Sequence, residues 1–461
     1  MKQSSELGTK PIGEILVKMA VPASIGILVM SIYFIVDTIF VGRFVGTLGI
    51  AAITVVMPIS FLISSIGMAI GVGGASVISR ALGAGDREKA SLSFGNMASL
   101  TILLSILLVF AGSFFEDAFI QLFGGKGDIL APAKSYFTIL LFGVPCLAWI
   151  MMANNVIRAE GQPRMAMLAM LVPAVANILL DPIFIVYFDW GLEGAAWATV
   201  ISYYLSAIYT LWYFFTGKSE LHISWQRLIL RLTIVKDIFS IGFVTLARQG
   251  SISLLTIVLN HSLFQYGDEL AIAIFGIINR ISMFANFPVL GITQGFLPIA
   301  GYNYGAQKWD RVKQIIRTAI KSGTGIALLI FVCILTLATP MVSVFTTDPE
   351  LLRRTPPALI LVFLATPLIT TQLIGSAYFQ AIGKAIPALL LTMTKQGFFL
   401  IPLVLILPLW FGLDGIWYSF PIADVLAASI TYWYLRREIR KHLDPHIETE
   451  PLAKTVTENV L

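Results

Sequence analysis

The chain has 461 residues, of which 57% are hydrophobic and only 12% are charged, about half the charged share of an ordinary soluble domain. Because long windows contain no charge at all, this composition excludes a soluble globular protein and predicts an integral membrane protein. The net charge of +5 does not indicate a nucleic-acid partner, since the basic residues lie in short connections between apolar spans.

Neither the cysteines nor the amino terminus suggests a different class. Cys146 and Cys333 both lie within apolar spans, so we expect no disulfide framework and no metal site. Residues 1–13 are polar and lack a cleavable signal pattern, and the apolar span that follows is too long for a signal peptide. The first helix should therefore stay in the protein.

Apolar segments of about 20 or more residues, the length that crosses a bilayer, follow one another along the whole chain. The first six lie near residues 14–40, 50–78, 92–118, 133–157, 165–188 and 194–216. Six more lie near 237–265, 270–301, 315–342, 357–382, 386–411 and 414–435. The sequence therefore predicts an all-α membrane protein with twelve transmembrane helices.

Lysine and arginine are distributed unevenly between the two sets of connections. One side carries most of them, including Arg80, Arg87 and Arg158, whereas the other side mixes a few basic residues with acids such as Asp348 and Glu350. Because cytoplasmic connections of membrane proteins are enriched in basic residues, we expect both termini to be cytoplasmic. The polar tail from Asp444 onward is expected to be disordered.

An internal repeat divides the chain in two. Gly83-Ala84 and Gly305-Ala306 stand 222 residues apart, and Gly161 and Gly383 keep the same offset. Since each repeat has an even number of spans, the lobes should be related by an axis along the membrane normal, with a cleft between them. We expect a cytoplasmic amino terminus (1–13), an N-lobe (14–216), a cytoplasmic linker (217–236), a C-lobe (237–435) and a cytoplasmic tail (436–461).

Two duplicated bundles around a cleft are typical of a transporter that alternates access. The chain contains no G-x-x-x-x-G-K-[ST] phosphate loop and no soluble domain that could house one, so coupling to ATP within this chain is excluded. No nucleophile motif or metal cluster indicates an enzyme. Coupling to an ion gradient remains, with no cofactor other than the coupling ion.

Two carboxylates lie inside otherwise apolar spans of the N-lobe. Asp181 ends the stretch A-N-I-L-L-D, and Asp37 lies in I-V-D-T-I-F-V-G-R. Because a carboxylate in hydrocarbon costs several kcal/mol, it is retained where it faces protein or water, and it commonly marks an ion or proton pathway. Both acids are predicted beyond the midplane in the outer half of the membrane, where Asn177, Thr199 and Tyr33 could join them in a cation site.

Structural roles offer an alternative for each of these residues. Asp181 precedes Pro182 and could cap a break in the helix, while Asp37 could pair with Arg43 as an interfacial anchor. Asn177, Thr199 and Tyr33 could simply hold membrane helices together by hydrogen bonds.

The C-lobe contains no equivalent carboxylate pair, since the offset of 222 places Asp37 on Leu259. It contains Arg248, Lys395 and Asp424 instead. These residues are structural ion-pair candidates, with Lys395 and Asp424 neutralising each other; the alternative is a second titrating site or a substrate contact.

Several motifs together resemble the multidrug and toxic compound extrusion family, in particular its DinF-like prokaryotic branch. They are V-D-T-I-F-V-G-R, the stretch from Gly71 to Gly85, R-A-E-G-Q-P, and N-I-L-L-D-P. The resemblance covers about residues 10–440. It implies a V-shaped inner-membrane antiporter that exports cationic or amphipathic drugs in exchange for H⁺ or Na⁺. We expect the protein to be a monomer.

The resemblance also implies roles for individual positions. Asp37, Asn177, Asp181 and Thr199 match the family's cation-coupling network, and Tyr33 and Asn154 match positions near it. Pro22 matches the proline at which the first helix is proposed to bend, which is physically reasonable because proline lacks the amide donor. Gln294 departs from relatives that carry an acid in the eighth helix.

Two questions stay open at the level of the sequence. A flippase for lipids or lipid-linked sugars would share the two-lobe plan, although its cleft should be more cationic in order to meet phosphate. H⁺ and Na⁺ are not distinguished either, because protonated carboxylate pairs and sodium sites use the same oxygens.

Overall fold

The structure is a computed structural model that describes residues 3–447. Every regular element within these residues is a helix, which confirms the predicted all-α class. Eight helices are long and apolar enough to cross a membrane, or ten if each of two bent pairs forms one span. Two less apolar helices of 25 and 26 residues lie at the positions of the sixth and twelfth predicted spans.

The first half of the chain contains six long helices, α1 to α6. They are α1 (Ile12–Phe44), α2 (Thr47–Gly83), α3 (Arg87–Phe114), α4 (Leu130–Ala159), α5 (Pro163–Asp181) and α6 (Gly191–Phe215). A π-helical turn, Pro182–Tyr187, continues α5. Short helices occur at Gln3–Gly8, Glu116–Leu122, Gly127–Ile129 and Trp225–Leu228.

The second half follows the same order, with more breaks. Its segments are α7 (Leu232–Tyr266), α8 (Glu269–Ala285 and Phe287–Gly305), α9 (Trp309–Ser343), α10 (Pro349–Phe363 and Thr366–Ala381), α11 (Ala385–Met393) and α12 (Leu413–Glu438). The two parts of α8 meet at 46° and those of α10 at 44°. After α11 the chain continues as a π-helix, Thr394–Leu400, and two short helices, Ile401–Ile406 and Pro408–Phe411.

The helices form two compact units, and two of the boundaries between them lie inside α1 and α7. Unit 1 contains Ile25–Leu246 and the chain up to Ser4, and unit 2 contains Ser5–Ser24 and the chain from Ala247 onward. The two boundaries are 222 residues apart, which is the offset of the sequence repeat. The predicted lobes, 14–216 and 237–435, differ from these units, since the start of α1 belongs to unit 2 and the linker with the start of α7 belongs to unit 1.

Small residues bring the helices of unit 1 close together. A Cβ atom on Gly67 would lie 2.8 Å from the carbonyl oxygen of Ala148 in α4. A Cβ atom on Gly73 would lie 2.1 Å from the carbonyl oxygen of Ile238 in α7. Since helices in a membrane associate by close packing and not by expelling water, these glycines determine how near α2 lies to its neighbours.

Unit 2 holds the start of α1 by polar contacts. Asn303 Nδ2 donates to the carbonyl oxygen of Leu7 at 2.8 Å, and an Arg311 Nη donates to that of Lys10 at 2.7 Å. The chain after α12 is also ordered: residues 444–447 are helical, and Asp444 pairs with Lys313 at 2.6 Å. The expectation of disorder from Asp444 onward is therefore wrong as far as residue 447, and residues 448–461 lie outside the described part.

Candidate cation site

Three helices of unit 1 each carry two polar residues four positions apart. The pairs are Tyr33 and Asp37 on α1, Asn177 and Asp181 on α5, and Thr199 and Tyr203 on α6. Residues four apart lie on the same face of a helix, one above the other. Each helix therefore presents a short polar stripe.

The acids and their partners are buried. The exposed fraction is 7% for Asp37, 4% for Thr199 and 0% for both Asp181 and Asn177. Four buried oxygens have no hydrogen-bond partner of good geometry: one of Asp37, both carboxylate oxygens of Asp181 and the amide oxygen of Asn177. Because buried polar atoms are normally satisfied, these oxygens mark a place where the protein alone does not complete the bonding.

The stripes of α1, α5 and α6 lie close enough to interact with one another. Asn177 Nδ2 donates to Thr199 Oγ1 at 3.2 Å, and Asp181 interacts electrostatically with Asp37. No described lysine or arginine forms an ion pair with either acid. The arrangement can bind a proton or a dehydrated monovalent cation, because it offers buried oxygens and negative charge without a built-in cation.

Two tyrosines of the site were missed at the sequence level. Tyr33 and Tyr136 both lie beside Thr199, and Tyr203 lies beside Tyr33. Tyr203 could have been found, since it lies one turn beyond Thr199 on the same face of α6. Tyr136 comes from α4, and nothing in its sequence context separates it from the other tyrosines of the chain.

The structural alternatives for the acids do not describe this geometry. The side chain of Asp181 caps neither α5 nor the following π-helical turn. Asp37 forms no ion pair with Arg43 among the described residues, and the Arg43 guanidinium lies 5.9 Å from the ring centre of Phe44 instead. Among the described residues, neither carboxylate serves as a helix cap or as a partner in an ion pair.

Asn154 and Pro22 lie away from this cluster. Asn154 Nδ2 donates to the carbonyl oxygen of Ala166 at 2.6 Å. Ala166 precedes Asp181 by fifteen residues in α5, so the two residues are about 22 Å apart along the helix axis. The Asn154 contact ties α4 to the start of α5. Pro22 lies within α1, which continues through it as a helix, in the part of α1 that belongs to unit 2.

Two of the three charged residues predicted for the C-lobe form a close ion pair. Lys395 Nζ, in the π-helix after α11, lies 2.6 Å from Asp424 Oδ1 in α12, and their side chains are 16% and 4% exposed. Arg248 in α7 has no ion pair or hydrogen bond to another described residue, so it is not part of this pair. The structural role proposed for these three residues stays a prediction.

Removal of one partner of the Lys395–Asp424 ion pair should lower stability, whereas replacement of both partners by apolar residues should not. Lys395→Met is expected to lower the free energy of unfolding by about 3 kcal/mol, because it leaves the Asp424 charge buried without a partner. The double variant Lys395→Met/Asp424→Leu should recover most of that loss. Thermal unfolding of the purified protein checks this, and a double variant as unstable as the single one would contradict a purely structural pair.

Glu160, from the R-A-E-G-Q-P motif, is the centre of a second buried network in unit 1. Its carboxylate is 1% exposed and accepts hydrogen bonds from Tyr213 Oη at 3.0 Å, Ser219 Oγ at 2.7 Å and the backbone nitrogens of Glu220 and Leu221 at 2.6 and 3.2 Å. Burial raises the pKa of Glu160 to about 7, although the hydrogen bonds from Ser219, Tyr213 and the Glu220 amide oppose the rise. These hydrogen bonds hold the chain that follows α6 against the end of α4.

This pKa predicts a pH dependence of stability. Because the folded protein holds the Glu160 proton more tightly than the unfolded chain, the contribution of this group to stability is present below the unfolded pKa of 4.5 and is lost as the pH rises through about 7. Unfolding temperatures measured between pH 5 and pH 8 should therefore fall less in Glu160→Gln than in the parent. Glu193→Gln, at an exposed carboxylate, is the control and should keep the parent's slope; an unchanged slope in Glu160→Gln would contradict the prediction.

Comparisons with known proteins agree with this architecture. Residues 22–183 and 244–406 match the family model described as MatE, and the two matches start 222 residues apart. The multidrug export protein MepA of Staphylococcus aureus (strain MSSA476) is 29% identical over 437 residues, covering 92% of this chain and 94% of MepA. MepA of Staphylococcus saprophyticus is 28% identical over 426 residues, covering 90% and 92%.

Solved structures of similar proteins extend over nearly the whole chain. A crystal structure of a MATE protein in the bent conformation has a TM-score of 0.91 at 26% identity, covering 97% of this chain and 99% of that one. An outward-facing multidrug resistance MATE family transporter of the MOP superfamily has a TM-score of 0.87 at 27% identity, covering 95% and 98%.

Proposed function

The chain belongs to the MatE family and is a multi-pass membrane transporter, not an enzyme, and from this premise we propose that it exports cationic or amphipathic organic compounds in exchange for H⁺ or Na⁺. The multidrug export activity named for its relatives supports this substrate class. We also propose that it is a monomer of the prokaryotic inner membrane with both termini cytoplasmic, an orientation that the distribution of its basic residues supports.

The observation that carries the proposal is the pair of buried acids with unsatisfied oxygens. Asp37 and Asp181 interact with each other in a low-dielectric interior, so the charge on one disfavours the charge on the other. Binding of a proton or a sodium ion relieves this repulsion. The bond from Asn177 to Thr199 fixes the amide, so that its oxygen remains an acceptor beside the acids.

Exchange follows if the coupling ion and the drug compete for the same negative charge. A lipophilic cation is attracted to the ionised acids, and aromatic rings such as Tyr33, Tyr136 and Tyr203 add favourable cation–π contacts. Uptake of the coupling ion removes that attraction and releases the drug. Pro22 is the proposed point of bending in α1, because a proline inside a helix leaves one carbonyl without its usual amide partner.

A flippase remains the second candidate, but the site favours it less. Phosphate groups of a lipid or lipid-linked sugar would be repelled by Asp37 and Asp181. A cationic compound is the better match for a site whose charged groups are both acids.

Transport into liposomes tests the proposal and identifies the ion. Purified protein is reconstituted, and accumulation of a fluorescent organic cation is followed with a pH gradient or a sodium gradient imposed separately. Accumulation driven by the pH gradient alone assigns H⁺, and accumulation driven by the sodium gradient alone assigns Na⁺. If neither gradient drives accumulation, the proposed antiport is wrong.

A further inference from the structure

The linker between α6 and α7, residues 217–231, is built onto unit 1. Asn96 Nδ2 in α3 donates to the carbonyl oxygens of Arg227 and Ile229 at 3.3 and 3.2 Å, and Asn96 Oδ1 accepts from the backbone nitrogen of Arg231 at 2.7 Å. Asn96 is completely buried. Together with Glu160, it fixes the course of the linker, so the side chains that point outward occupy defined positions.

The outward side of this segment, together with the first turns of α7, combines large apolar side chains with cations. Trp225, Ile229 and Leu232 are 88%, 66% and 81% exposed. Arg231 and Lys236 are also exposed and have no acidic partner among the described residues. An exposed apolar group of this size in contact with water is unfavourable, which indicates that something other than water covers it.

The position of the linker indicates what covers it. The linker joins the end of α6 to the start of α7, and these helices lie at the positions of the sixth and seventh predicted membrane spans, so it lies at the boundary between lipid and water. At the end of α6, Lys218 Nζ lies 3.8 Å from the centre of the Trp212 ring. Tryptophan and lysine are both typical of this boundary layer.

The charge of the linker selects among the lipids. Glu220 is the only acid between residues 217 and 236, and it is bound by Ser4 at 2.9 Å and by Arg87 at 3.7 Å. Arg227 is paired with Glu88 at 2.8 Å. Between Trp225 and Asp237, the charges that remain without an ion pair among the described residues are those of Arg231, Lys236 and Asp237, and their sum is positive.

We propose that residues 225–236 form an interfacial binding surface for anionic phospholipids. Arg231 and Lys236 contact the phosphate headgroups, while Trp225, Ile229 and Leu232 insert into the boundary of the acyl layer, as in amphipathic segments that lie in the membrane interface. Each cation near an anionic surface favours binding by roughly fivefold, which corresponds to about 1 kcal/mol per residue. This surface is independent of the proposed antiport chemistry.

The local lipid composition at the linker tests the proposal without any transport measurement. Cys146 and Cys333 are replaced by alanine, and Trp225→Cys is labelled with a small fluorophore. The protein is reconstituted into vesicles of one fixed mixture of phosphatidylglycerol and phosphatidylcholine. In one arm the phosphatidylglycerol is brominated, and in the other arm the phosphatidylcholine is brominated at the same mole fraction.

Quenching should be stronger when phosphatidylglycerol carries the bromine. The relative affinity for phosphatidylglycerol over phosphatidylcholine that it reports should be higher by roughly fivefold for each of the two cations. Arg231→Gln/Lys236→Gln should bring the two arms close to equality, whereas Arg231→Lys/Lys236→Arg should keep the difference. A matched probe at Trp190→Cys, an exposed tryptophan beside Asp189, should show no preference. Equal quenching by both lipids at position 225, an unchanged preference in the neutralised variant, or no quenching by either lipid would each overturn the proposal.

Discussion

Asp37→Asn and Asp181→Asn are each expected to abolish drug export while the protein still inserts into the membrane. Either substitution keeps the size and polarity of the side chain but removes the group that binds and releases the coupling ion. It also relieves the repulsion between the two acids, so folding should not suffer. Drug accumulation in cells, normalised to the amount of protein in the membrane, should match that of cells without the transporter.

Asp189→Asn provides a matched control for this loss. Asp189 is exposed, follows the π-helical turn after α5 and adopts a left-handed backbone with φ of 54°, a conformation that asparagine adopts readily. Drug export by the Asp189→Asn variant should equal that of the parent protein. Normal efflux by both Asp37→Asn and Asp181→Asn would show that the carboxylate pair does not carry the coupling.

Gly73→Ala should cause a large loss of stability for so small a substitution. Its Cβ atom would lie 2.1 Å from the carbonyl oxygen of Ile238 and 3.0 Å from the backbone nitrogen of Gly242. Since both obstacles are backbone atoms of α7, no side-chain rotation relieves the clash, and α2 and α7 must separate. Overpacking of this kind costs about 3 kcal/mol, which should appear as a lower unfolding temperature and a lower yield of monodisperse protein.

Gly250→Ala is the corresponding control in α7. No atom lies within 4 Å of a Cβ at Gly250, and alanine favours a helix over glycine by about 1 kcal/mol. Its stability should therefore equal or exceed that of the parent. If Gly73→Ala were as stable as Gly250→Ala, the close approach of α2 to α7 would not be a feature of the folded protein.

Helical periodicity and the free-energy cost of burying a charge explain how much of the site was predictable. Asp37 and Asp181 stand out because charge is rare inside apolar spans, and Asn177 and Tyr33 lie one turn from them on the same faces. Tyr136 was not predictable, because a tyrosine in an apolar span is common and its proximity to Thr199 depends on how α4 packs against α6. Asn154 was placed near the acids by resemblance, yet its hydrogen bond to Ala166 lies at the other end of α5.

The part played by Glu160 illustrates a different limit. Its motif contributed to the family resemblance, but two of its hydrogen-bond donors are backbone nitrogens of residues about sixty positions later. Backbone donors leave no mark in the sequence, so only the folded course of the linker shows them. The division of α1 and α7 between the two units was not predictable either, because each helix continues across its boundary within one predicted apolar span.

The division of the chain into these two units determines which fragments contain a complete unit. Unit 2 draws Ser5–Ser24 from the beginning of the chain and everything from Ala247 onward from its end. A single cut in the linker therefore yields two fragments, neither of which corresponds to a complete unit. The carboxyl-terminal fragment would lack the helical segment that Asn303 and Arg311 bind, and only co-expression of both fragments would supply it.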